Sequence, residues 1–360
     1  MKSFEKYRDK ETAQEVIEAI KEEAPKEEFK IMHVCGTHEY AIVKNGLRSL
    51  LPDNIDLIAG PGCPVCVTTA REIDESIKLA EEGKTITTFG DMFRVPGSER
   101  SLENAKTDGA DVNIVYGISD AVKIARENPD QDVIHVAIGF ETTAPTTAAE
   151  ILNGPPENFS ILNCHRLIPP AMEFLLNAGE SEIDGFLCPG HVSTIIGSKP
   201  YEPISEEFGV PQVVGGFEPI DVLLSVLMLL RQFRNNKGIV ENEYTRTVQP
   251  KGNEIAQEKM NEVFKESTVN WRGFPEIPNS ALELREKFDN HNARKKFDVK
   301  IDETREFSEG CQCGEVLRGL IKPPECPLFL KACSPDSPKG PCMVSFEGTC
   351  SVWAKHGGEL

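Results

Sequence analysis

A repeated pattern of short apolar runs, each ending in Gly, Pro or Cys and each followed by a helical stretch, most constrains what this chain can fold into. The runs are FKIMHVCG, IDLIAGPG, TITTFGD and VNIVYGISD, then VIHVAIGFE, FSILNCHR, IDGFLCPGH and PQVVGGFEP. Their starts lie roughly 25–30 residues apart, the size of a strand–helix unit of a parallel sheet. The runs are apolar throughout rather than alternating, as strands covered on both faces are. The expected fold is α/β: two similar parallel-sheet domains plus a small cysteine-rich C-terminal unit. The turn-rich stretch ENPDQD at 127–132 suggests a seam, giving a first α/β domain at 1–128 and a second at 129–235. A C-terminal region at 236–360 follows, its end proline- and cysteine-rich and held by covalent or metal bonds rather than a large core.

The remaining elements read simply. EKYRDKETAQEVIEAIKEEA forms a helix with Val16, Ile17 and Ile20 on one face, and EIAQEKMNEVFKES forms another. The greasiest stretch, IDVLLSVLMLL at 220–230, falls short of the ~20 residues that span a bilayer and reads as a buried helix. No apolar signal core opens the chain, so a cytoplasmic location is expected. The net charge of −19 argues against nucleic acid as the main partner, because phosphate backbones are bound by clustered Lys and Arg. No Gly-x-x-x-x-Gly-Lys phosphate loop occurs.

In open α/β sheets ligands bind at the carboxyl ends of strands. Most of the chemically unusual residues fall at those ends: Cys35 and His38, Cys63 and Cys66, Asp91, Glu141 with Thr142 and Thr143, His165, Cys188 and His191, and Glu218. So many at one edge imply a cleft. CGTHE can ligate a metal, or His38 can deprotonate Cys35. It can equally be a strand end whose cysteine packs while His38 and Glu39 are solvated. GPGCPVC places two thiols before a helix, where the local dipole favours thiolate and suits disulfide exchange or a soft metal. Glu141 can accept hydrogen bonds or act as a base. Thr142 and Thr143 can bind an anion or cap the next helix. Cys164 and Cys188 read equally as buried strand ends.

The chain has eleven cysteines, six of them in the last fifty residues, separated by 1, 12, 6, 8 and 7 residues. In a cytosolic chain such clustering points to metal or redox chemistry. Six thiols could supply four iron–sulfur ligands and one dithiol; zinc is the alternative.

Taken together, CGTHE, GPGCPVC, GFETTAP, CPGHVS and the C-terminal cysteine array resemble the HypD family of hydrogenase maturation factors, in the family's order and over the whole chain. The resemblance implies a redox-active assembly scaffold, rather than a conventional enzyme, for the iron of nickel–iron hydrogenases, which carries two cyanides and one carbon monoxide. That iron would be held jointly with the small chaperone HypC, with cyanide delivered by HypE, itself charged by HypF. Cys35 would be its principal ligand and His38 a neighbour in the cleft. Cys63 and Cys66 would be a redox pair or further iron contacts. The resemblance also implies a 4Fe-4S cluster, expected on Cys311, Cys326, Cys333 and Cys350, with Cys313 and Cys342 as an exchangeable dithiol. Electrons would then pass from cluster to dithiol, to Cys63 and Cys66, and to the iron. The competing expectation is a cluster-dependent disulfide reductase of the ferredoxin–thioredoxin reductase type.

Overall fold

The structure, a computed structural model, describes residues 6–357. All eight expected strands form: β1 Phe29–His33, β2 Ile55–Ala59, β3 Thr85–Thr88, β4 Val112–Ile114, β5 Val133–Gly139, β6 Phe159–His165, β7 Gly185–Pro189 and β8 Gln212–Gly215. Three more follow, β9 Val240–Asn242, β10 Phe264–Asn270 and β11 Glu276–Leu284. β3, β5, β7 and β8 are buried at every position, which explains their continuous apolar character.

The strands do not sort into sheets in chain order, as the pattern of two sets of four suggested. One parallel sheet has the order β2-β1-β7-β8-β9 and the other β4-β3-β5-β6. β3 to β6 form a complete sheet between β2 and β7 in sequence. The chain then returns to pair β7 with β1, Ile31 opposite Gly185. The boundary expected at 128/129 falls between β4 and β5 of one sheet and does not separate the two. Periodicity marks a strand as buried on both faces; it carries no record of its neighbour, which long-range packing selects.

In each sheet the chain reverses direction once, between β1 and β7 in the first and between β3 and β5 in the second. The crevice outside the carboxyl ends of strands at such a reversal is where open α/β sheets bind ligands.

The helix Lys10–Glu23 is capped by Asp9, whose carboxylate accepts from Thr12 N at 2.8 Å. It packs on Pro219–Arg234, and Val16, Ile20, Val222, Leu223 and Leu230 bury one face of the first sheet. Each such side chain contributes about 1.5–3 kcal/mol by leaving water. Among the described residues no helix is long and apolar enough to cross a membrane. The helix expected over EIAQEKMNEVFKES stops at Val263. Phe264 turns extended and opens a hairpin, β10 against β11, whose register shifts between Ser267 and Val269.

The cysteine-rich end forms short helices, Cys313–Leu317, Pro341–Val344 and Thr349–His356. They share one core with the body: Val316, Met343 and Cys350 join Met32, Ile58 and Cys66. Pro341–Val344 packs on Pro64–Val67, and Thr349–His356 on Gly36–Lys44.

Candidate functional site

Cys35 follows β1 in extended conformation and starts the helix Gly36–Lys44. Gly36 N donates to Gly62 O at 3.0 Å, joining CGTHE to GPGCPVC. Gly62 is required there, because a Cβ would lie 2.1 Å from Cys35 N. Gly36 is equally constrained: its Cβ would lie 2.5 Å from Glu347 O. The C-terminal segment therefore rests directly on the Cys35 loop. Asp91 holds it, accepting from Ser345 Oγ at 2.8 Å and Phe346 N at 3.1 Å.

These loops enclose a cavity of about 410 Å³ lined by Cys35, Thr37, Thr142, Thr143, His191 and Glu347 among others. Both chain reversals contribute: Cys35 and His191 follow β1 and β7, while Thr142 and Thr143 follow β5. Thr143 stands at the start of the helix Ala144–Leu152 without a side-chain capping bond. Burial pushes the Cys35 thiol up to about 11, with Glu347 adding to it, while the amides of His38 and Thr37 and the Thr37 hydroxyl favour the thiolate. Cys35 is thus a protonated thiol at neutral pH.

His38 does not serve Cys35. Its ring is buried and donates Nε2–H to Gly216 O at 2.9 Å, and it packs on Phe217 with centroids 4.7 Å apart. Burial depresses it to about 3, so it is neutral. The imidazole at the cavity is His191, on the same Phe217 at 4.0 Å. Glu39, expected to be solvated under the simplest reading, is buried. It accepts from Arg48 Nη2 at 2.7 Å and from Trp353 Nε1, and its Oε2 lies 2.7 Å from His33 Nε2. Burial would raise Glu39, but Arg48 and His33 outweigh it and hold the carboxyl at about 2.

Cys63 and Cys66 form a disulfide, and neither lines the cavity. With those two sulfurs bonded to each other, Cys35 is the free thiol that lines the cavity. Glu141 also lies behind the wall: Oε1 accepts from Ile168 N at 2.9 Å, and Oε2 is buried without a partner. Burial raises it to about 7. Cys164 and Cys188 are buried, His165 meets Thr147 Oγ1 at 3.0 Å, and Glu218 pairs with Arg8. These four are structural.

Among the C-terminal thiols, Cys313 makes hydrogen bonds with Cys311, Cys342 and Cys350, which hold it well below the ordinary thiol range. Gly340 closes over them; a Cβ there would lie 2.6 Å from Cys313 Sγ and 2.8 Å from Cys311 Sγ. Cys333 accepts from Lys339 N at 3.3 Å, with Cys326 nearby. The two sets expected from the sequence, four ligands and a separate dithiol, therefore interleave. Among the described residues no three side chains are arranged as ligands around one ion; the sulfurs contact one another instead. Their chemistry, soft donors packed under a glycine, fits an iron–sulfur group.

The family model for HypD, described as the hydrogenase formation hypA family, matches residues 11–357. This chain belongs to the HypD family. It is 52% identical to a protein of Methanocaldococcus jannaschii named for hydrogenase expression and formation, over 97% of this chain and 98% of that one. It is 44% identical to hydrogenase maturation factor HypD2 of Bradyrhizobium diazoefficiens and 43% identical to hydrogenase maturation factor HypD of Cupriavidus necator, each over 99% of this chain and 97% of the relative. In this HypD-family chain the sequence alone assigns no role to the cavity residues His191 and Glu347. His191 was visible only as a strand-end residue. Glu347 lies inside the cysteine array, follows no strand, and gave no signal.

Proposed function

We propose that this hydrogenase maturation factor is a cytoplasmic assembly scaffold for the Fe(CN)2CO centre of nickel–iron hydrogenases, with Cys35 as the protein ligand to the guest iron. One observation carries the reading: Cys35 is the free thiol at the cavity where both chain reversals meet. A soft sulfur donor suits iron bearing cyanide and carbon monoxide. Thr37, Thr142, Thr143 and His191 offer polar groups for the diatomic ligands and a cavity mouth for HypC, with HypE as cyanide donor.

The six C-terminal thiols, with Gly340 closing over Cys311 and Cys313, support the reading of a 4Fe-4S cluster, which when bound would supply single electrons. The helix bearing Cys342 packs on the helix bearing Cys66. A Cys313/Cys342 dithiol can thus exchange with Cys63–Cys66. One thiolate attacks a bridge sulfur and breaks the S–S bond, forming a mixed disulfide; the second thiolate cleaves that and closes a Cys313–Cys342 disulfide, and the two protons shed by Cys313 and Cys342 pass to Cys63 and Cys66. Two electrons move and no proton is lost overall.

Anaerobic purification followed by infrared spectroscopy and metal analysis tests the scaffold. Cyanide and carbonyl bands that vanish in Cys35→Ser, with C-terminal iron retained, are the expected result. The bonded Cys63–Cys66 pair favours a second reading, a cluster-dependent disulfide reductase. Iron without those bands, together with reduction of a protein disulfide, would establish it instead.

A further inference from the structure

Arg272 is 1% exposed, deep beside the C-terminal thiols. Its Nε donates to Glu306 O at 2.7 Å and its Nη2 to Pro96 O at 2.9 Å, while Nη1 is buried with no partner. The nearest carboxylate, Glu306 Oε2, lies 3.6 Å from Nε and belongs to a side chain one-third exposed. Glu306 Oε2 also accepts from Ala70 N at 2.9 Å. A guanidinium does not give up its proton, and a buried one needs compensating charge. Here that compensation is partial.

The backbone explains why Arg272 sits where it does. Its N–H donates to Val67 O at 2.9 Å, at the end of the helix carrying Cys66. Gly273, at φ +85°, lies so close to Gly314 that a Cβ would meet Gly314 Cα at 2.7 Å, and Gly314 directly follows Cys313. The same loop thus contacts the residues that directly follow Cys66 and Cys313. Cys313, Cys311 and Cys342 lie within electrostatic reach of the guanidinium.

We propose that Arg272 is the fixed positive charge that sets the reduction potential of the C-terminal sulfur site, stabilising its more negative, reduced state. The proposal rests on the reading of those thiols as an iron–sulfur site. A buried cation acts across a poorly screening interior, so its removal makes reduction harder. Glu306, as its partner carboxylate, acts with the opposite sign.

The test is an EPR-monitored redox titration of the full chain, reconstituted anaerobically with ferrous iron and sulfide. Arg272→Lys is expected to keep the wild-type potential. Arg272→Met is expected to lower the reduced-to-oxidised ratio at fixed poise at least tenfold, about 59 mV for one electron. Glu306→Gln is expected to move it upward. An unchanged potential in Arg272→Met overturns this inference alone. If that variant does not fold, an unchanged potential in Glu306→Gln overturns it. A wild-type chain that assembles no cluster overturns the iron–sulfur reading and this inference together.

Discussion

His38 Nε2 meets the carbonyl of Gly216 at 2.9 Å, so the histidine of CGTHE is bound to the loop after β8 and not to the cysteine three residues before it. This bond joins two strand ends on opposite sides of β7 and commits the buried Nε2 to a backbone carbonyl. The division of labour within one pentapeptide follows: Cys35 faces the cavity, while His38 and Glu39 hold the loop.

Cys35→Ser and His38→Ala should therefore fail in different ways. The first removes a cavity-facing sulfur and should change stability by less than about 1 kcal/mol while abolishing iron retention. The second leaves buried carbonyls unpaired beside a hole and should cost about 2–4 kcal/mol, with iron retained in the molecules that still fold. Denaturant unfolding paired with iron content separates the two. Equal destabilisation would contradict the assignment.

Acid should release the C-terminal helix through Glu39. Its carboxyl is held at about 2 against an ordinary 4.5, so ionised Glu39 stabilises the fold above the ordinary value, and that stability is lost as pH falls from about 4.5 toward 2. The shift corresponds to roughly 3 kcal/mol at most. Glu39→Gln should lose most of this pH dependence, and Trp353 fluorescence should report the helix leaving, since its indole donates to Glu39.

Glu141 should act with the opposite sign. Burial raises it to about 7 from 4.5, so the folded chain binds the proton more tightly and stability declines as pH rises through that interval. Glu141→Gln should be closer to wild-type stability at pH 5 and gain on it at pH 8. Unfolding curves at the two pH values decide the matter; a catalytic base open to the cavity would show no such crossover.

Iron counting in single Cys→Ser variants should resolve the C-terminal site. The sequence-based set makes Cys326 a cluster ligand and Cys313 part of the dithiol. The contacts of Cys313 with Cys311, Cys342 and Cys350 place it inside the sulfur group. The proposed exchange expects cluster absorbance lost in Cys326→Ser and kept in Cys313→Ser; the reverse would make Cys313 a cluster ligand and leave no Cys313/Cys342 dithiol to exchange.

Much of this molecule is legible in its sequence. Eight strands, the helix at 10–23 and the gathering of reactive residues at strand carboxyl ends follow from local rules: apolar runs, turn residues and the geometry of a parallel sheet. CPVC announces a close thiol pair, because two cysteines three apart beside a helix start can bond to each other or share a soft metal. Partnership is what the sequence does not carry. That β7 pairs with β1, that Phe217 lies between His38 and His191, and that Glu347 closes over Cys35 all depend on contacts between residues far apart in the chain. Their energies exist only once the sheets have packed. Residue type and spacing determined which chemistry this protein could perform; tertiary packing decided which thiol faces the cavity, because burial and hydrogen-bond partners, rather than identity, separate a free ligand from a structural cysteine.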